Sequence, residues 1–272
     1  MSDCKETSTP LVPNKHLGTA TDEEIESFKL LKVIFRSAVG SIDYLSSATH
    51  PYLAHAVSSL FQYLENPGIR HWKSFLHVLR YLKGCQELSL IYPRNGTEGI
   101  IAYSNADWGS CKANRRSISG YLASFKGGLV MWKTRKQQSV STSTAEAEYK
   151  SLCDLTSALL WLKKWTAEVG IINTKYPILI WNDNQSCINT ANSDSNFNNK
   201  HMKHVNIQLH FVREAVKSKD FLLKYVPSGS MLADFLTKSV NRNVLERALC
   251  ALGVLRLKVR GDVRELAEKS HD

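Results

Sequence analysis

The chain has 272 residues, 43% of them apolar, with 35 Lys+Arg against 25 Asp+Glu and a net charge of +10. That apolar share builds a core and excludes a purely charged, disordered tail. No apolar run approaches the ~20 residues of a membrane helix, so no membrane partner is expected. Residues 1–18 are polar and hold no apolar h-region, so a secretory leader is not expected. Six cysteines are scattered without a C-x-x-C pair, which fits a reducing, intracellular setting, cytoplasm or nucleus, better than secretion.

In chain order, residues 1–30 read as a loop. Residues 37–83 read as mainly helical. Leu53, Val57, Leu60, Phe61 and Leu64 share helical spacing behind Pro51, and Asn66-Pro67-Gly68 stops that helix. A second helix carries Trp72, Phe75, Leu76, Leu79 and Leu82 and ends at Gly84. His50, His55, His71 and His77 show no metal-ligand pattern and read as surface or packing residues. After Pro93-Arg94-Asn95-Gly96 the period changes. Residues 100–107 form a β-like run, and 119–125 and 129–132 form two more around Lys126-Gly127-Gly128, a hairpin signal. Residues 144–169 predict a long helix capped by Ser143 or Thr144. The unalternating Pro177-Ile178-Leu179-Ile180-Trp181 predicts a buried strand ending at Asn182-Asp183. A short helix, a stretch with His201, His204 and His210, a strand over 221–226 and a short helix around Asp234 follow. This order predicts a mixed sheet with helices on its faces.

The charge excess sits in residues 95–240, with 18 basic and 11 acidic side chains. Between Asp107 and Glu146 there is no acid, while Lys112, Arg115, Arg116, Lys126, Lys133, Arg135 and Lys136 accumulate. Charge alone leaves two readings open, a surface for a polyanion and an ordinary solvated face. The acids of this segment sit at telling places. Glu148 lies in the first turns of the long helix, Asp183 ends an apolar strand, and Asp234 has apolar neighbours. Acids near a core need a partner, a proton or a metal. Brought together they would form an oxygen-rich Mg²⁺ site; taken singly, each is explained as a helix-start or strand-end acid.

Three motifs, Ser143-Thr144-Ala145-Glu146-Ala147-Glu148-Tyr149, Asn182-Asp183-Asn184-Gln185-Ser186 and Ala233-Asp234-Phe235-Leu236-Thr237-Lys238, resemble the ribonuclease H domain of Ty1/copia-type retrotransposon Pol polyproteins. Upstream, Phe35-Arg36-Ser37-Ala38-Val39-Gly40-Ser41 and the run from His71-Trp72 to Lys83-Gly84 resemble the segment between that family's polymerase palm and its ribonuclease H. The likeness is collinear over roughly residues 1–254. It implies an α/β, ribonuclease H-like fold, a mixed five-stranded sheet with flanking helices, preceded by a mostly helical, thumb/connection-like segment. The implied divisions are a reverse-transcriptase remnant over 1–94, a ribonuclease H-like domain over 95–240, and a C-terminal helix and tail over 241–272. The resemblance further implies cleavage of the RNA of RNA–DNA hybrids with two Mg²⁺ ions, or Mn²⁺. Glu148 rather than Glu146, Asp183 and Asp234 match the catalytic, metal-holding acids. Lys112, Arg115, Arg116, Lys133, Arg135 and Lys136, with Lys203 and His204, would meet the nucleic acid, the basic stretch through its phosphates.

The sequence departs from the family at the first strand. Where the family has Asp-Ala-Asp before an aromatic, this chain has Asn105-Ala106-Asp107-Trp108. The replaced residue is the acid expected to bridge both ions. With one carboxylate fewer, Mg²⁺ is expected to bind weakly and cleavage to be impaired. Asp107 is the candidate substitute ligand, but i and i+2 lie ~6.5 Å apart along a strand. Lys203-His204-Val205-Asn206 also lacks an acid that the family usually has at its fourth position. No Asp-Asp pair occurs, so polymerase activity is not expected, and Met1 reads as an internal methionine of a longer frame. A missing polymerase portion is therefore an expected partner, and Trp72, Phe75 and Leu79 are expected to be exposed without it. The alternatives to an impaired nuclease are a non-catalytic nucleic-acid-binding remnant and a degenerate reading frame.

Overall fold

The structure, a computed structural model, describes residues 4–94, 99–171, 177–193 and 206–257. Its helices are α1 Asp22–Lys29, α2 Phe35–Ala48, α3 Ala54–Phe61, α4 Ile69–Lys83, α5 Thr144–Glu168, α6 Gln185–Asn192, α7 Asn206–Lys217, α8 Asp234–Thr237 and α9 Arg242–Ala251. Its strands are β1 Leu88–Leu90, β2 Ile100–Asp107, β3 Ile118–Phe125, β4 Gly128–Lys136, β5 Ile178–Asn182, β6 Phe221–Tyr225 and β7 Val254–Arg256. Five strands form one sheet in the order β4-β3-β2-β5-β6. β2, β3 and β4 form an antiparallel meander, while β2, β5 and β6 run parallel. This is the mixed five-stranded sheet of the ribonuclease H fold.

Alternation along the strands sends side chains to two cores. Ile100, Ala102, Ala123 and Ile180 meet Leu152, Leu155 and Leu159 of α5, with α6 and α7 beside them. On the opposite face Leu122 and Leu129 meet Leu53, Val57 and Leu60 of the helical half, together with Phe235, Leu236 and α9. An extra residue in β4, at the register shift opposite Ala123 and Ser124, turns Leu129 toward this second core. The helical half is thus docked on the sheet, and Trp132 Nε1 on β4 donates to the Ser46 carbonyl of α2 at 2.8 Å.

Two expectations are corrected. Residues 1–30 are not all loop: α1 begins at a capping box in which Thr21 Oγ1 accepts from Glu24 N–H and Glu24 accepts from Thr21 N–H. Nor are Trp72, Phe75 and Leu79 an exposed patch. Phe75 is buried and the other two are half-buried against the same core. Phe28 of α1 lies over Trp72, with ring centroids 6.2 Å apart, so the missed helix is part of the cover.

Residues 4–19 form a strap along α4, and the polar side chains of α4 hold it. Arg80 donates to the Lys5 carbonyl, His77 Nε2 to that of Thr9, and His71 Nε2 to that of Gly18. His71 Nδ1 accepts from Gly68 N–H at 3.0 Å, which fixes its tautomer. The helical-half histidines are packing residues, as expected. Burial holds His50, His71 and His77 below their ordinary pKa, and burial with nearby His16 pushes His55 down to about 4.

A depressed histidine binds its proton more weakly folded than unfolded. Its contribution to stability is therefore whole above pH ~6.5 and is lost as pH falls toward the folded value. Buried carboxylates with raised pKa oppose this slope, so the informative quantity is a difference between variants. His55→Gln is expected to lose less stability than the natural chain between pH 7 and 5, the two slopes differing by up to about one proton. Urea unfolding at several pH values measures it, and parallel curves would remove His55 as the source.

Candidate active site

β2 and β5 are adjacent and parallel, so their carboxyl ends open on the same edge. That edge is also where the chain order reverses, a place where open α/β sheets gather ligands. Four elements deliver polar side chains there. Asn105 comes from β2, Glu148 from the first turns of α5, Asp183 follows β5, and Asp234 begins α8.

Glu148 is 5% exposed and clamped at both oxygens. Oε1 accepts from Ala106 N–H at 2.9 Å and Oε2 from Asn182 Nδ2 at 3.0 Å. Burial pushes its pKa up to about 8; Asp183 and Asp234 add to the rise, and the two donors oppose it. Asp234 Oδ1 accepts from Asn105 Nδ2 at 2.6 Å and pairs with Lys238 Nζ at 2.9 Å. Burial still lifts its pKa above the ordinary carboxylate value. Asp183 Oδ2 accepts from the Ser228 hydroxyl at 2.7 Å. Asp107 shares the Asn105 face of β2, and burial raises its pKa while Lys238 draws it down. Glu146 stands apart from this edge. It is fully buried and bonded to Lys150 at 2.6 Å and to Thr142.

Three contributors carry no sequence-stated role. Asn182 is fully buried and joins the strands, donating to the Ser104 carbonyl and to Glu148 while accepting from Asn184 N–H. Thr237 Oγ1 accepts from Asn105 at 3.2 Å, and Lys238 neutralises Asp234. The i,i+4 spacing of Asp234 and Lys238 is a readable signal. The function of Asn182 is not readable, since a strand-end Asn looks like a turn residue. Gly120 lies opposite Asn105 in the β2–β3 register. A Cβ there would stand 2.7 Å from Thr237 Cγ2 and 2.8 Å from Leu236 Cβ, so bare backbone is what lets α8 bring Asp234 onto Asn105.

The basic residues are not on one surface. Lys112, Arg115 and Arg116 lie on the β2–β3 loop beside the site. Lys133 and Arg135 project to the α5 face of β4, where Arg135 is 3.8 Å from Asp154. Lys136 projects to the opposite face, where it donates to Gln62 Oε1 at 2.7 Å. Lys203 and His204 lie outside the described residues.

No family model matches the chain. It is 34% identical over 251 residues to the Retrovirus-related Pol polyprotein from transposon TNT 1-94 of Nicotiana tabacum, covering 90% of this chain and 18% of that protein. It is 31% identical over 265 residues to the corresponding protein from transposon RE2 of Arabidopsis thaliana, covering 94% and 17%. The chain belongs to the Pol polyproteins of Ty1/copia-type retrotransposons. It spans less than a fifth of the length of these curated relatives. Among solved structures, the RNase H1 of Halobacterium salinarum aligns with 54% of the chain and 98% of its own at 16% identity and a TM-score of 0.37.

In this Pol segment the donor set does not fit the two-metal site that the family resemblance implies. Metal ions need lone pairs turned inward. Asn105 turns N–H bonds inward instead, and Oδ1 of Asp234 is already taken by Asn105 and Lys238. Among the described residues no three His, Cys, Asp or Glu side chains group closely enough to hold one ion.

Gly120→Ala is expected to push α8 off β3 and cost ~1–3 kcal/mol, the usual toll of overpacking. Unfolding in urea measures the loss. A variant as stable as the natural chain would mean that α8 can be seated without the bare backbone.

Proposed function

We propose that this Pol segment is a ribonuclease H-like domain that holds RNA–DNA hybrid at the carboxyl ends of β2 and β5 and cleaves it feebly or not at all. The observation that carries the reading is the Asn105 amide donating to Asp234. In an active relative of this fold the resemblance implies an acid at that place. Here the amide and Lys238 satisfy Asp234 from within the protein, so the position that should attract divalent ions is already neutralised. Asp107 is a poor replacement, because its carboxylate is drawn to Lys238 and pushed by Asp234. The loop carrying Lys112, Arg115 and Arg116 supplies contacts to phosphate that are indifferent to sequence.

The same electrostatics make a statement about stability. In Asn105→Asp a carboxylate would face Asp234 where a donor now stands. Like charges so close favour protonation or a counter-ion. That variant is therefore expected to gain thermal stability from Mg²⁺ or Mn²⁺, and the natural chain to gain little.

The deciding test is cleavage of a labelled RNA–DNA hybrid in Mg²⁺ and in Mn²⁺ by the natural chain and by Asn105→Asp. The expected result is little or no cleavage by the first and a clear gain by the second. Efficient cleavage by the natural chain, abolished by Asp183→Asn, would overturn the reading of Asn105. Silence from both, with both folded, would favour a hybrid-binding remnant or a decayed reading frame.

A further inference from the structure

A groove of about 420 Å³ runs between the strap and the β2–β3 loop and opens beside the candidate site at Asp107 and Lys238. Its walls come from both halves of the molecule, Lys15 and His16 on one side and Lys112 on the other. Asp107 is the sole carboxylate among the lining residues, against three ammonium groups, Lys15, Lys112 and Lys238. Lys15 and Lys112 are exposed and have no ion-pair partner among the described residues. The strap wall is held in place, since Tyr63 donates to the Leu17 carbonyl, and His71 and Arg70 to those of Gly18 and Thr19.

We infer that this groove takes an unpaired stretch of nucleic acid, the single-stranded continuation of one strand of the hybrid at the candidate site. Its volume falls in the range of small-ligand pockets and is suited to about one nucleotide at a time rather than a duplex. Cations on opposite walls suit a phosphodiester backbone threading between them. The helical half thereby becomes a working part of the nucleic-acid surface, through Lys15 and His16, rather than only a cover for the sheet. The inference rests on the proposed hybrid binding for its location beside the site, but its own readout is separate.

The test compares binding of a blunt RNA–DNA hybrid with the same hybrid bearing several unpaired nucleotides, by fluorescence anisotropy on the full chain without divalent metal. The overhang is expected to tighten binding by the natural chain. Lys15→Glu with Lys112→Glu is expected to lose that gain, on the order of fivefold or more, and to lower the salt slope by about 1.4, two single-strand phosphate contacts. The charge-matched control, Lys164→Glu with Lys219→Glu on the remote part of the molecule, is expected to keep the gain. Both pairs are exposed, and thermal unfolding verifies that the variants fold. An overhang without effect, or a gain that survives the groove substitutions, overturns the groove assignment and leaves hybrid binding standing. Overhang-dependent binding by a chain that ignores blunt hybrid supports the groove and sinks the hybrid reading. Displacement of the overhang by polyglutamate as readily as by single-stranded RNA would reassign the groove to acidic peptides.

Discussion

A carboxylate taken out of water must be given donors, a proton or a cation, and most of the geometry at the carboxyl ends of β2 and β5 follows from how that demand is met. Asp234 receives the Asn105 amide and the Lys238 ammonium. Glu148 receives a backbone N–H and the Asn182 amide. These bonds tie together β2, β5, α5 and α8, elements far apart in the chain. The Asn105 amide thus brings no charge to the site and supplies a bond that steadies Asp234.

The second constraint is steric. α8 reaches Asn105 only because Gly120 has no side chain, and α8 in turn is part of the core that the helical half covers. The seat of the helical half on the sheet and the position of Asp234 are therefore mechanically linked. Trp132, bonded to α2, and Lys136, bonded to Gln62 just beyond α3, extend that link along β4. The groove beside the site lies where the two halves of the chain meet, with the strap pinned to α4 as one wall.

Much of this was legible. Periodicity located the antiparallel meander, the long helix after Ser143 and the buried strand before Asn182, because apolar residues at the right interval have few alternative folds. Ser143 proves to be the cap, its hydroxyl accepting from Glu146 N–H. α1 was missed because its apolar face is thin, though Thr21 and Glu24 announce a capping box. β1 and β7, three residues each, carry too few side chains to show an alternation.

The sequence by itself pointed to the family, to most of the strands and helices in their order, and to the acids that are candidates for a nuclease site. It also showed that one position of that set holds an amide. Tertiary structure alone decided what the amide does, since the Asn105–Asp234 bond joins residues 129 positions apart. It alone split the basic stretch between two faces of β4, because neighbouring strand residues point opposite ways and a bulge resets the count. It also created the groove, whose cations lie on separate elements and become neighbours only when the core brings the two halves together. Local pattern records what a residue can do next to its neighbours in the chain. Charge pairing across a core depends on distances that only packing sets.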